Sequence, residues 1–398
     1  MSSTNTHDPI VIVGAARTPM GSFQSDFASQ SAHDLGGVAI RAAVERAGVS
    51  PELVDEVLFG NCLMAGQGQA PARQAAIKGG LPLSAGAVTL SKMCGSGMKA
   101  VMLAHDMLLA GSATVMVAGG MESMTNAPYL MLKGRGGYRM GHDKIYDHMM
   151  LDGLEDAYEA GRSMGTFGED CAAKYSFTRE QQDAFAIASV TRAKAATESG
   201  AFAKEIAPVT VKDRSGERVV SIDEGPGKVK LDKITSLKPA FKKDGTITAA
   251  SSSSINDGAA ALVLMRESTA KAQGLIPLAR IVAHSTHAQE PNWFATAPVG
   301  ATQKLLAKTG WAVADVDLWE INEAFAVVPM ALMKELGIPH DKLNVNGGAC
   351  ALGHPIGASG ARILVTLLHA MQARGGKKGV ATLCIGGGEA TAMAIELV

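Results

Sequence analysis

No stretch of this 398-residue sequence approaches the roughly 18–20 uninterrupted apolar residues that would span a bilayer. The N-terminus, MSSTNTHDP, lacks the basic-then-apolar pattern of a secretory signal, and the C-terminal IELV is not a peroxisomal SKL. A cytoplasmic location with no membrane partner is the expectation. A charge surplus is also missing: 37 Lys+Arg stand against 38 Asp+Glu, and nucleic-acid partners, which normally require a basic imbalance, are not expected. The cysteines, at 62, 94, 171, 350 and 384, are odd in number and contain no CxxC pair. Neither a disulfide framework nor a zinc ribbon is indicated, so reduced thiols and no metal site are expected.

What is present is glycine, 45 residues of it, in a chain that is 47% hydrophobic and 5% aromatic. That composition reads as α/β with many tight strand–helix turns. The length suggests two or three units of about 100–200 residues each.

An internal repeat organises the chain. GVSPELVDEVLFGN (48–61) parallels GWAVADVDLWEIN (310–322), with offsets of 262 at Gly48/Gly310 and 261 at Asn61/Asn322. Residues 95–120 parallel 357–387, where a Gly-rich turn, a long helix, a small loop and a buried strand recur; Gly97 and Gly360 differ by 263. Between the halves, from about 122 to 250, the texture changes to a Met-, Gly- and Tyr-rich excursion, in which 212–243 holds nine Lys/Arg against five Asp/Glu. One firm helix is expected there, over about 178–199, with Thr178 as its cap. The basic excess is read as a solvated face rather than as an aid to an anionic ligand. VIVGA (11–15), VMVAG (115–119), ALVLM (261–265) and VATLCIG (380–386) read as strands buried on both faces, with helices between them and a mostly parallel sheet in each half. Ligands then gather at the carboxyl ends of the strands.

SKMCGSGMKA (91–100) lies at such a handover. A cysteine just before a helix has its thiolate favoured by free N–H groups and the helix dipole, and a shift of about one and a half units would leave it mostly ionised. Gly95 and Gly97 would admit an acyl group close to the backbone. Two rival readings stand beside this one. Buried cysteine at a strand–helix junction is commonly packing, and Gly95-x-Gly97-x-x-Ala100 also satisfies a dinucleotide fingerprint, with Glu122 as the ribose-binding acid. In the second half, His354 precedes Pro355 in a Gly-rich loop feeding a helix expected near Ser359; Cys384 ends a strand before three glycines; Asn322 follows another strand. Singly, a turn histidine, a core cysteine and a capping asparagine are the ordinary readings. Together, four reactive or polar groups at four strand ends form a constellation that packing does not require.

VGAARTPMGSF, MCGSGMKAV, AGGMESM, INDGAAA, EINEAFA, GGACALGHPIGASGAR and CIGGG occur in this order over nearly the whole chain. On these motifs the sequence resembles the thiolase family from end to end, and within it the acetyl-CoA acetyltransferases. The resemblance implies two βαβαβαββ halves packed as a five-layered αβαβα core: 1–121 plus 251–274, and 275–398, with 122–250 as a loop domain over the active site. It implies Cys94 as acyl-accepting nucleophile, His354 as its activator, and Cys384 as the group that removes and returns the α-proton. Asn322 would position a water in one oxyanion hole, while the N–H groups of Cys94 and Gly386 would make the second. Met164, Phe241 and Phe325 would wall the acyl and pantetheine pocket, Ser253 would contact the CoA chain, and a basic CoA contact falls near Gly227 or Lys228. Acetyl-CoA, acetoacetyl-CoA and CoA are the implied ligands, no separate cofactor is implied, and a homotetramer is the implied assembly. The chain departs from the family's pattern at Ser163, where acetoacetyl-specific relatives usually carry histidine, and at Ala250 and Ser251, which replace Gly-Asn. Two rivals follow from the same residues: a ketoacyl synthase, and a non-catalytic CoA-binding protein.

Overall fold

The unalternating apolar runs form strands with almost every residue buried, because helices cover both faces of the sheets they build. The structure, a computed structural model, describes residues 8–213 and 216–398; the polar stretch 1–7 and two positions of the basic segment lie outside the described residues. The first half consists of β1 (Ile10–Arg17), α1 (Ala32–Ala47), β2 (Glu56–Gly60), α2 (Pro71–Lys78), β3 (Gly86–Leu90), α3 (Ser96–Ala110) and β4 (Val115–Ser123). The excursion then contributes α4 (Met164–Tyr175) and α5 (Arg179–Glu198), and the half closes with β5 (Asn256–Arg266). The second half runs β6 (Ala279–Ala288), α6 (Ala297–Thr309), β7 (Leu318–Ile321), α7 (Val327–Leu336), α8 (Ile356–Arg374), β8 (Lys378–Ile385) and β9 (Glu389–Leu397). Leaving aside two-residue strands, short helices and the hairpin of Val209–Asp213 with Gly216–Val220 in the excursion, both halves follow βαβαβαββ. The third strand of the second half has shrunk to one parallel bridge between Trp319 and Leu343.

The repeat is borne out at the helix ends. Gly48 closes α1 with φ +66° and Gly310 closes α6 with φ +70°, the left-handed cap that glycine adopts without a Cβ penalty. Thr178 caps α5 in a capping box with Gln181, as the sequence implied. The helix expected near Ser359 begins three residues earlier, at Ile356, because Pro355 supplies the extended entry residue.

The strands line up as β7-β8-β9-β6-β1-β5-β4-β2-β3. The expected mostly parallel sheet needs correction. β5 lies antiparallel between β1 and β4, and β9 antiparallel between β6 and β8, so that among the named strands of the described residues the parallel pairs are β2–β3, β2–β4 and β7–β8. The cause is local: β8 turns straight back into β9 through Gly386–Gly388, and a hairpin return is necessarily antiparallel. The halves join edge to edge through only two pairs, Val11 with Arg280 and Ile12 with Ala279.

Period-two alternation decides the layers. Ala260, Leu262 and Leu264 of β5 and Ala381 and Leu383 of β8 share one buried cluster with α3 and α8. Ala259, Ala261 and Val263 face α1 and α2, while Val380 and Cys384 face α6 and α7. The order α1/α2, sheet, α3/α8, sheet, α6/α7 is the five-layered αβαβα core, and each large aliphatic side chain buried in it contributes about 1.5–3 kcal/mol. The two central helices cross backbone to backbone: a Cβ on Gly97 would stand 2.8 Å from the Ala361 nitrogen, and one on Gly360 2.4 Å from the Met98 nitrogen. These are the two glycines aligned by the repeat, and their lack of side chains brings the N-terminal ends of α3 and α8 together.

Candidate active site

The chain passes from β3 into α3 through a turn in which Met93 takes φ +46°, a conformation uncommon for any residue but glycine. Ser96 Oγ donates to Met93 O at 2.6 Å and accepts from the Lys92 N–H at 2.7 Å, and the Gly95 N–H donates to Lys92 O at 3.1 Å. This bracing holds Cys94, half-buried, just ahead of the helix. Strain immediately before a potential nucleophile is the kind that functional sites retain.

The N–H groups of Gly386 and of Cys94 itself face the Cys94 sulfur and favour its charged form, but burial outweighs them and Glu122 adds repulsion, so the thiol is pushed up to about 11. The resting thiolate expected from the helix terminus is therefore overturned. Around pH 7 only about one molecule in ten thousand is ionised at such a value. Any attack by Cys94 requires a base acting as the bond forms.

His354 has the form of that base. It is buried, and desolvation, reinforced by Arg362, lowers its pKa to about 3 and keeps the ring neutral. Ser359 Oγ donates to Pro355 O at 2.9 Å and lies 2.5 Å from His354 Nδ1. A hydroxyl with its proton committed can only accept, so Nδ1 carries the ring hydrogen and Nε2 carries the lone pair. Nε2 has no partner among the described residues, and neither do Nδ2 and Oδ1 of the fully buried Asn322. Leaving such groups unpaired costs about 1–3 kcal/mol each. Three orphaned polar atoms on two of the singled-out residues mark where a polar ligand or water would be bound.

Short loops bind these residues into one unit. The Ser253 N–H and Oγ both donate to Ala324 O, two residues past Asn322, and the His354 N–H donates to Ser254 O. Buried Glu323 accepts from the Cys350 N–H, Asn344 Nδ2 and Ser189 Oγ, fixing the loop before His354 to the one after β7. Lys92 pairs with Glu389, tying the Cys94 turn to the Gly386–Gly388 turn. Cys384 is fully buried at the end of β8, its thiol raised first by desolvation and then by the nearby Cys94. Met164 opens α4, with its sulfur 3.5 Å from where a Gly386 side chain would begin. Phe241 lies flat against Gly165 and meets Phe325 edge-on at 5.7 Å; Phe294, not singled out in the sequence, completes the aromatic wall at 6.5 Å from Phe325.

Two expectations fare differently. Glu122 accepts from the N–H groups of Cys62, Leu63 and Gly357 and from Asn61 Nδ2. Its oxygens are consumed in holding loops, and it is not a ribose-binding acid. Lys228 is half-exposed, and its ammonium is paired with Glu224 at 2.7 Å and Ser25 at 3.1 Å, not with any other singled-out residue. Glu323 and Phe294 were missed because each acts through contacts distant in sequence, and only the EIN-Glu run hinted at Glu323; Ser359 touches His354 and Pro355 on its own loop but was read only as the start of a helix.

Residues 10–268 match the family model for the thiolase N-terminal domain, and 275–397 that for the thiolase C-terminal domain. The chain is 53% identical over 388 residues to an acetyl-CoA acetyltransferase of Escherichia coli K12, covering 97% of this chain and 98% of that one. It is 51% identical over 399 residues to acetyl-CoA acetyltransferase 2 of Arabidopsis thaliana, covering 100% and 98%. The crystal structure of the Bacillus anthracis acetyl-CoA acetyltransferase superposes with a TM-score of 0.96 at 42% identity, covering 99% and 100%. A thiolase of Ascaris suum in complex with coenzyme A superposes with a TM-score of 0.93 at 42% identity, covering 98% and 100%. With both halves matched by the family's models and close to half its residues shared with several full-length relatives, the chain belongs to the thiolase family.

Proposed function

We propose that this enzyme is an acetyl-CoA C-acetyltransferase, condensing two acetyl-CoA to acetoacetyl-CoA and CoA, and running the reverse thiolysis, through an acyl-Cys94 intermediate. The observation that carries the reading is the convergence of two thiols and two N–H donors, with the lone pair of a neutral histidine and an unpartnered asparagine on the loops tied to them. His354 Nε2 takes the Cys94 proton as sulfur adds to the acetyl carbonyl; the tetrahedral oxyanion is held by N–H donors or by a water on Asn322; the C–S bond to CoA then breaks and CoA leaves as thiol with the proton of Cys384, which becomes a thiolate. The Cys384 thiolate removes an α-proton from the second acetyl-CoA, the resulting carbanion adds to the acyl carbonyl, and the Cys94–acyl bond breaks as His354 returns its proton to Cys94, releasing acetoacetyl-CoA. The excursion 122–250 supplies Met164 and Phe241 as a loop domain over the site, and the aromatic wall favours short acyl chains. Ser253 and Lys228 remain the proposed CoA contacts, CoA being substrate and product rather than a resident group.

A broader 3-ketoacyl-CoA thiolase is the second reading, favoured by Ser163: its hydroxyl merely caps α4, leaving the position beside Met164 smaller than the histidine of acetoacetyl-specific relatives. Thiolysis of 3-ketoacyl-CoA substrates from acetoacetyl-CoA to a long chain, run with wild type and Cys94→Ala, tests both. Preference for acetoacetyl-CoA, lost in the variant, supports the first; preference for long chains supports the second; no cleavage of any substrate overturns both. No helix among the described residues is long and apolar enough to cross a membrane. A cytoplasmic homotetramer is proposed, supported by exposed Tyr129, Met131, Leu132 and Ile145 on the excursion; a dimer mass by light scattering would sink it.

A further inference from the structure

A second cluster of titratable side chains lies outside the thiolase site, where α3 meets β6. His105 and Asp106 project from the last part of α3, and His284 from β6. His284 Nε2 stands 3.0 Å from Asp106 Oδ1 and 3.3 Å from His105 Nδ1, and His105 Nδ1 stands 3.0 Å from the same oxygen. The two imidazoles are perpendicular, with centroids 5.0 Å apart.

These separations have a chemical meaning. Ligand atoms about 2.0–2.1 Å from a zinc-like ion are about 3.3 Å apart in a tetrahedron and about 3.0 Å apart on an octahedral face. The three atoms therefore already occupy the corners of one coordination face. An ion about 2.1 Å from each would stand roughly 1 Å out of their plane. The imidazoles are 13% and 16% exposed and the carboxylate 54%, so the remaining positions would open to water. We infer that His105, Asp106 and His284 form a binding site for one divalent transition-metal ion of the Zn²⁺ class. Two nitrogens and one carboxylate oxygen suit Zn²⁺ or Co²⁺ and are a poor set for Mg²⁺ or Ca²⁺, which take oxygen ligands. Lys308, whose ammonium donates to His284 O at 2.9 Å, opposes the ion and weakens the site. In the metal-free arrangement both imidazoles donate to the one Asp106 oxygen; the ion replaces those two hydrogens once each ring takes its other tautomer, so neutral rings lose no net proton.

The ion would clamp a helix of the first half to the leading strand of the second. Nine residues of α3, roughly 14 Å at 1.5 Å per residue, separate Ser96 from His105, so the clamp is structural and touches no reacting atom. No sequence motif points to it: His105 and Asp106 are adjacent and His284 lies 178 residues beyond Asp106, whereas recognisable zinc motifs pair ligands at short spacings.

The test is a Co²⁺ titration of the full-length, chelator-stripped protein, followed by Zn²⁺ with thermal unfolding. One Co²⁺ per chain is expected, with visible d–d absorption and without the near-ultraviolet bands of sulfur ligation, and Zn²⁺ at about 100 times its Kd should raise Tm by about 2–5 °C. His284→Ala and the half-exposed, near-isosteric Asp106→Asn should each lose both signals, while Lys308→Met should tighten binding. Equal Co²⁺ binding by wild type and Asp106→Asn, sulfur charge-transfer bands that place the ion on cysteines, or no binding at all overturns the site.

Discussion

At the residue scale, burial sets the protonation of Cys94 and His354, the two groups proposed for acyl transfer. With the thiol raised to about 11 and the imidazole lowered to about 3, the proposed mechanism starts from two neutral groups, not from a thiolate–imidazolium pair. Alkylation of Cys94 by iodoacetamide in the free enzyme is therefore expected to climb steadily from pH 7 to 10; a plateau reached near pH 7 would show a preformed ion pair. His354 also contributes to stability. Its folded value of about 3 lies below the ordinary 6.5, so as pH falls the unfolded chain binds a proton that the folded chain refuses. That contribution is intact above about pH 6.5 and drains away towards pH 3, about 2 kcal/mol of it between pH 7 and pH 5. Urea unfolding of wild type and His354→Asn at the two pH values should differ by about that amount, with the variant losing less on acidification.

At the scale of elements, two glycines decide whether the site can assemble. Gly97 and Gly360 let α3 and α8 approach to backbone contact, and the N-terminal ends they bring together carry Cys94 and follow His354. Gly360→Ala would place a Cβ 2.4 Å from the Met98 nitrogen, where only backbone can yield. A loss of about 2–4 kcal/mol is expected from the overpacking, together with a fall in kcat as the two ends separate. Gly310→Ala is the matched control. It meets nothing within 4 Å and has only its left-handed φ of +70° to strain, so about 1 kcal/mol and unchanged kcat are expected. If both variants behave alike, the crossing does not position the site.

At the scale of the whole molecule, the excursion has to be anchored to the duplicated core to bring Met164 and Phe241 to the strand ends. Arg17, fully buried at the end of β1, supplies an anchor: its guanidinium bonds both oxygens of Asp223, at 2.7 and 2.8 Å, and Glu205 at 2.5 Å. Arg17→Met would leave two buried carboxylates uncompensated, and a loss of about 3–5 kcal/mol in chemical denaturation is expected. Faster limited proteolysis within 122–250 should accompany it. An unchanged denaturation midpoint would mean that the excursion is held elsewhere.

How far the sequence alone carried follows from these particulars. Local order was legible: apolar runs became strands, Thr178 capped its helix, Gly48 and Gly310 ended equivalent helices, and the offset between Gly97 and Gly360 identified a duplication. These features depend on backbone propensity and on neighbours within a few residues, which the sequence states directly. The identity of the candidate residues was legible for the same reason, since MCGSG, GHP and CIGGG are each local. Three things were decided only by the tertiary structure. Desolvation raised Cys94 where the helix terminus alone would have lowered it; the return of β5 after the excursion and the hairpin return of β9 placed antiparallel strands inside sheets that read as parallel; and Glu122 and Glu323 acquired their roles from loops far away in the chain. Dielectric environment, strand direction and the satisfaction of buried hydrogen bonds depend on what packs against a residue, and that is settled only when the layers close.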